Sequence, residues 1–167
     1  MSRDSKIGRN KPKPLEVVHH VEMEKYLGTW YEIATIPAGF QKNCVAVTAT
    51  YSLRKDGNIE VLNACRVGLL DGPFKSVKGK AWVVDTATNA KLKVRFFRLF
   101  TGDYWIIELD PQYRYAVVGH PSRNYLWILS RTPKINDELY SKLLARIARK
   151  GYDINRVVMT PQQAVAK

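Results

Sequence analysis

Acidic residues are scarce in this chain, and so are cysteine, histidine and long apolar runs. Against 27 Lys and Arg stand only 15 Asp and Glu, giving a formal net charge of +12 and a pI near 9.8. That balance favours anionic partners: phospholipid headgroups, fatty carboxylates or nucleic acid. The basic residues are scattered along the chain, as on a solvated face, so no nucleic-acid partner is inferred. No apolar stretch approaches the roughly 18 residues of a membrane-spanning helix. His19 and His20 are adjacent and lack other ligand-type residues at metal spacing, so no metal site and no cofactor is assigned. Gly-x-Ser-x-Gly, His-Glu-x-x-His, a phosphate loop and Cys-x-x-Cys are all missing, and no catalytic residue is named.

The 167 residues suit one domain with a real core. Residues 1–14 are polar, carry five basic side chains and one acid, and lack the apolar stretch of a signal peptide. They read as a flexible leader in the place of a targeting segment. They account for +4 of the charge, so +8 remains on residues 15–167. The folded domain is expected over 15–160 and a loose tail over 161–167.

What is present is a two-residue alternation of apolar and polar side chains. It predicts strands at 29–36, 45–54, 58–66, 77–85, 90–98, 103–109, 115–119 and 125–131. Asp56-Gly57 supplies the positive φ of a tight hairpin between the second and third. Asn136 is placed as an N-cap for a helix carrying Leu139, Leu143 and Ile147, which Gly151 ends. A short strand at 156–159 follows. The fold class is all-β: an eight-stranded antiparallel up-and-down barrel with one C-terminal α-helix on its outer wall. Closure removes the exposed sheet edges.

Gly28-Thr29-Trp30 opens the first strand and Arg131 ends the eighth. An Arg guanidinium can stack on an indole face, so Trp30 and Arg131 are predicted to seal one end of the barrel. Eight strands leave room inside for one small ligand. By alternation the cavity residues are Glu32, Ala34, Val47, Ala49, Tyr51, Val61, Asn63, Trp105, Ile107, Tyr125, Trp127 and Leu129. An aromatic and aliphatic lining with few polar groups suits an apolar ligand. Glu32 shares parity with Trp30, and a buried carboxylate needs a partner. It is either satisfied by Asn63, a tyrosine or water, or it orients the ligand. At the mouth, Lys42, Lys75, Arg98, His120 and Arg123 are placed to meet an anionic or zwitterionic head. Two other classes stay open: a membrane-surface structural protein without a cavity, and a small-molecule enzyme using Glu32 or His120 as base.

Cys44 and Cys65 flank the 55–58 turn and either form a disulfide or remain buried thiols. In simple register Val47 faces Cys65, leaving Cys44 too far away unless the loop before the second strand folds back over the mouth. A bond would then pin that loop and mark an oxidising compartment.

The stretches Leu27-Gly28-Thr29-Trp30-Tyr31-Glu32-Ile33-Ala34, Ala49-Thr50-Tyr51-Ser52-Leu53, Val61-Leu62-Asn63 and 121–132 (Pro-Ser-Arg-Asn-Tyr-Leu-Trp-Ile-Leu-Ser-Arg-Thr) resemble the bacterial lipocalins. These are kin to apolipoprotein D and the plant temperature-induced lipocalins. The usual Thr-Asp-Tyr motif is degenerate here, as Asp110-Pro111-Gln112-Tyr113. The resemblance implies a calyx that binds a fatty acid or lysophospholipid without catalysis, and a role in cell-envelope lipid maintenance. It also implies a periplasmic or outer-membrane address, with surface attachment through a lipidated cysteine. No cysteine precedes position 44. A homodimer stays open.

Overall fold

The computed structural model describes residues 11–39, 43–96 and 100–163, with Phe100 described in its backbone only. A four-residue helix α1 (Met23–Tyr26) leads into eight strands. These are β1 (Gly28–Ile36), β2 (Cys44–Leu53), β3 (Ile59–Val67), β4 (Phe74–Val83), β5 (Lys91–Phe96), β6 (Phe100–Leu109), β7 (Tyr115–Gly119) and β8 (Leu126–Ser130). Each is antiparallel to the next, and β1 pairs with both β8 and β2, which closes the barrel. The chain therefore has the predicted eight-stranded up-and-down architecture.

Helix α2 (Asp137–Arg149) follows. The Asn136 side chain accepts a hydrogen bond from the Leu139 amide, and Gly151 ends the helix at a φ of +92°. Leu143 and Ile147 are fully buried in one cluster with Ala34, Ile36, Ile107, Val117, Leu126 and Ile128 on the outer wall. Burying each contributes about 2 kcal/mol. A 3-10 turn (Ile154–Arg156) and the two-residue strand β9 (Val158–Met159) complete the order.

The first strand pairs with β2 only through Gly28–Tyr31; above that, β9 takes β2's place, opposite Ala34 and Thr35. Residues 160–162 carry on across the opening. The Thr160 amide donates to the Ile33 carbonyl, and the Ala46 amide donates to Pro161. The Gln162 side-chain amide donates to the carbonyls of both Glu32 and Val47. Gln163 reaches Leu70. Residues 161–163, expected in a loose tail, are thus part of the wall; 164–167 lie outside the described residues. The segment at Lys13 is held as well, its carbonyl accepting from Arg123.

Cys44 and Cys65 form a disulfide with Cα atoms 5.5 Å apart. The expected loop fold-back is not how it forms. Cys44 begins β2 opposite Val67, because a bulge between Val45 and Thr48 sets two residues against the one at Cys65. That extra residue draws Cys44 back to a diagonal position beside Cys65. The bond staples two neighbouring strands at the open end instead of pinning a loop. Replacing both cysteines by alanine is expected to lower the unfolding free energy by about 3 kcal/mol in the chain-entropy model. Urea unfolding followed by tryptophan fluorescence reads this directly, and an unmoved midpoint would show that the staple contributes nothing.

Candidate ligand-binding cavity

The barrel's lower end is closed by aromatic rings and one guanidinium. Arg131 lies 3.8 Å over the Trp30 ring. It also donates to the carbonyls of Thr29, Lys25, Tyr26, Leu27 and Tyr113 at 2.8–3.2 Å. Gly28, with φ +103°, lets the chain pass there: a Cβ would stand 3.2 Å from the guanidinium. The indole of Trp30 donates to the Tyr26 carbonyl. Above it the hydroxyls of Tyr26, Tyr104 and Tyr51 are linked at 2.5 and 2.8 Å. Burial keeps all three phenols neutral, pushing Tyr51 up to about 12.

Over this floor sits a cavity of about 120 Å³. Its wall is Glu32 from β1, Val47, Thr48, Ala49 and Tyr51 from β2, and Val61 and Asn63 from β3. Val94 and Phe96 come from β5, Gly102, Asp103 and Tyr104 from β6, Val118 from β7, and Trp127 and Leu129 from β8. A dry cavity of roughly 150 Å³ already holds a benzene ring, so the space admits a slim apolar group. A hollow of about 360 Å³ lies on the other side of β1, between α2 and residues 159–162, and is open to solvent.

Eight predicted cavity residues line this space: Glu32, Val47, Ala49, Tyr51, Val61, Asn63, Trp127 and Leu129. Four do not. A bulge after Glu32 flips parity, so Ala34 packs outward beneath α2. Trp105 pairs with Lys91, whose ammonium sits 4.3 Å from the ring, and both face outward. Ile107, at a second bulge, packs with Leu143 and Ile147. Tyr125 precedes β8 and stands at the mouth, stacked on Trp127 with ring centres 6.3 Å apart.

Of the mouth residues, Lys42 and Arg98 lie outside the described residues. Lys75 is exposed on β4. His120 lies 3.8 Å from Asp103, which also pairs with Lys93, and partial burial holds its imidazole below the usual range. Arg123 is turned away: it donates to the carbonyls of Lys150 and Lys13, tying α2 and the incoming chain to the rim. The rim also carries Leu69 and Phe74, 69% and 62% exposed. Thr48, Val94, Phe96, Gly102, Asp103, Tyr104 and Val118 of the wall, and Tyr26 of the floor, are missing from the predicted set; the alternation of Val94 and Phe96 with the basic residues of 91–95 was the usable signal.

Glu32 is only 4% exposed. Its Oε2 accepts from the Thr160 hydroxyl at 2.5 Å, a partner 128 residues away and not one of those expected. Burial pushes its carboxyl up to about 7, against the easing effect of Thr160.

A lipocalin-like domain matches residues 21–162. The chain belongs to the lipocalins. It is 44% identical over 151 residues to the outer membrane lipoprotein Blc of Escherichia coli K12, covering 90% of this chain and 85% of that protein. Temperature-induced lipocalin-1 of Arabidopsis thaliana is 43% identical over 159 residues, covering 90% and 84%. Mouse apolipoprotein D is 38% identical, covering 90% and 82%. Among solved structures, insecticyanin from the tobacco hornworm Manduca sexta superposes with a TM-score of 0.74 over 93% of this chain and 88% of that one. At 17% identity it speaks for the fold alone.

Two outcomes follow from this geometry. Replacing Arg131 by methionine keeps the stem but removes the guanidinium's donors to the five carbonyls, of which Tyr26's keeps its bond from the Trp30 indole. We expect thermal unfolding to report a loss of about 3 kcal/mol, and a loss under about 1 kcal/mol would discount the seal. Glu32 holds its proton up to about pH 7 when folded but only to 4.5 in its ordinary state. Between those values the folded state binds more protons, so its stability falls as pH rises through the window. At about 1.4 kcal/mol per pKa unit, the fall amounts to about 3 kcal/mol. Glu32→Gln should flatten that slope in chemical unfolding across the range; an unchanged slope would place its origin elsewhere.

Proposed function

We propose that this lipocalin is a non-enzymatic carrier of a single-chain amphiphile, a fatty acid or lysophospholipid. The observation that carries this is the mainly apolar cavity, open at the mouth, set above a sealed aromatic floor. The acyl chain lies against Val47, Ala49, Val61, Trp127 and Leu129, and the head stays at the mouth towards Lys75 and His120. Burial at about 0.8 kcal/mol per methylene reaches micromolar affinity after association costs.

The rim supports delivery to and from a lipid surface: Leu69 and Phe74 are exposed beside Arg66 and Lys75, and the chain is basic overall. The disulfide and the outer-membrane relatives support a periplasmic or outer-membrane location and a role in envelope lipid maintenance. A fluorescent fatty acid is expected to bind with micromolar affinity and Trp127→Ala to weaken it about tenfold. Absence of binding, or an affinity untouched by that substitution, would overturn this reading.

A further inference from the structure

The outside of this protein is basic, yet no Lys, Arg or His lines the cavity among the described residues. Its lining includes two acidic residues, Glu32 and Asp103, beside the neutral phenols of Tyr51 and Tyr104. Asp103 is paired with Lys93 and has His120 near it. Among the described residues Glu32 has no cationic partner. Thr160 occupies Oε2, while no described group donates to Oε1, and the carboxyl borders the cavity. Asn63 faces the same space with no described hydrogen bond from its side chain. An acceptor set in the wall of a mainly apolar cavity rewards a donor and penalises a second anion.

We infer that the cavity selects apolar chains whose polar end carries a hydrogen-bond donor, a hydroxyl or an ammonium, and that Glu32 is the residue that reads it. This rests on the carrier function proposed above and narrows it to a ligand whose donor lies at Glu32 in the cavity wall instead of at the mouth. An ionised fatty carboxylate level with Glu32 meets like charge; a protonated acid or a glycerol hydroxyl does not. The described groups at Glu32 are the Thr160 hydroxyl on its carboxyl and the Gln162 side-chain amide, which bonds the Glu32 and Val47 carbonyls; Asn63, Leu129 and Trp127 line the same cavity. With its carboxyl pushed up to about 7, Glu32 is ionised in alkali and neutral in mild acid, where a carboxylate ligand is readmitted.

The test is displacement of a neutral naphthylamine fluorophore by dodecanol, dodecylamine and dodecanoate, below their aggregation limits. At about pH 8.5 the wild type should bind the alcohol and amine about tenfold tighter than the carboxylate, and at about pH 5.5 the gap should shrink below about threefold. Glu32→Gln should show little discrimination at either pH, which separates Glu32 from the titration of His120. Thr160→Val, which removes the tail's hydroxyl but leaves the carboxyl, should keep the discrimination. Equal affinities in the wild type at the higher pH, full discrimination in Glu32→Gln, or its loss in Thr160→Val would each overturn the inference. If the fluorophore binds but the ligands do not discriminate, the carrier reading survives; if nothing enters the wild-type barrel, both fall.

Discussion

The contact between Arg131 and Trp30 is the constraint on which the rest of the barrel depends. A closed sheet has two open ends, and the backbone turning at one of them exposes carbonyls that no strand can satisfy. Here one guanidinium answers five of those carbonyls while its face covers the indole. Lysine could not do this, having three donors in no plane and no surface to stack. Because Arg131 immediately follows β8 and Trp30 lies in β1, the same contact fixes the register at which the sheet closes. The tyrosine floor above it, and therefore the depth of the cavity, inherits that register.

The opposite end shows what happens where no such seal exists. There β1 and β2 part after Tyr31, and each carries a bulge, after Glu32 in one and before Thr48 in the other. Two bulged strands cannot complete a ladder, so their free amides and carbonyls need another partner. Residues 158–162 provide it, first as strand pairing at β9 and then through backbone and glutamine side-chain donors. Glu32 sits where these devices meet. Its burial is a consequence of the tail lying across the opening, and its raised proton affinity follows from that burial.

Alternation made most of this legible, and where it failed the cause is local. The barrel, the helix and the Trp30–Arg131 pair follow from side-chain period and from two motifs about a hundred residues apart. The face of β6 did not follow, because Tyr104-Trp105-Ile106-Ile107 is apolar on both sides. The inner side meets the cavity and the outer side is covered by α2 and the incoming chain, so the two-residue period falls silent. Ala34 and Cys44 were displaced by bulges, which insert one residue without any mark in composition. The role of Thr160 was out of reach, since a hydroxyl 128 residues from its carboxylate carries no local signal.

Charge in this molecule is arranged by depth. Lysines and arginines on outward strand positions, such as Lys91, Lys93 and Arg95, give a long-range field that favours the approach of anionic partners. That field is screened within about 8 Å at physiological salt, so it acts on approach and not on a bound chain. Inside, water is sparse and each polar atom counts for more, so Glu32 and Asn63 outweigh any distant lysine for a ligand already in place. On the reading proposed above, attraction and selection are separate: the basic exterior acts on whatever approaches, and the acceptor within acts on the chain already bound. On the proposed reading a single buried carboxyl at the seam of the barrel serves the second step, because among the described residues no cation lines the cavity to compensate it.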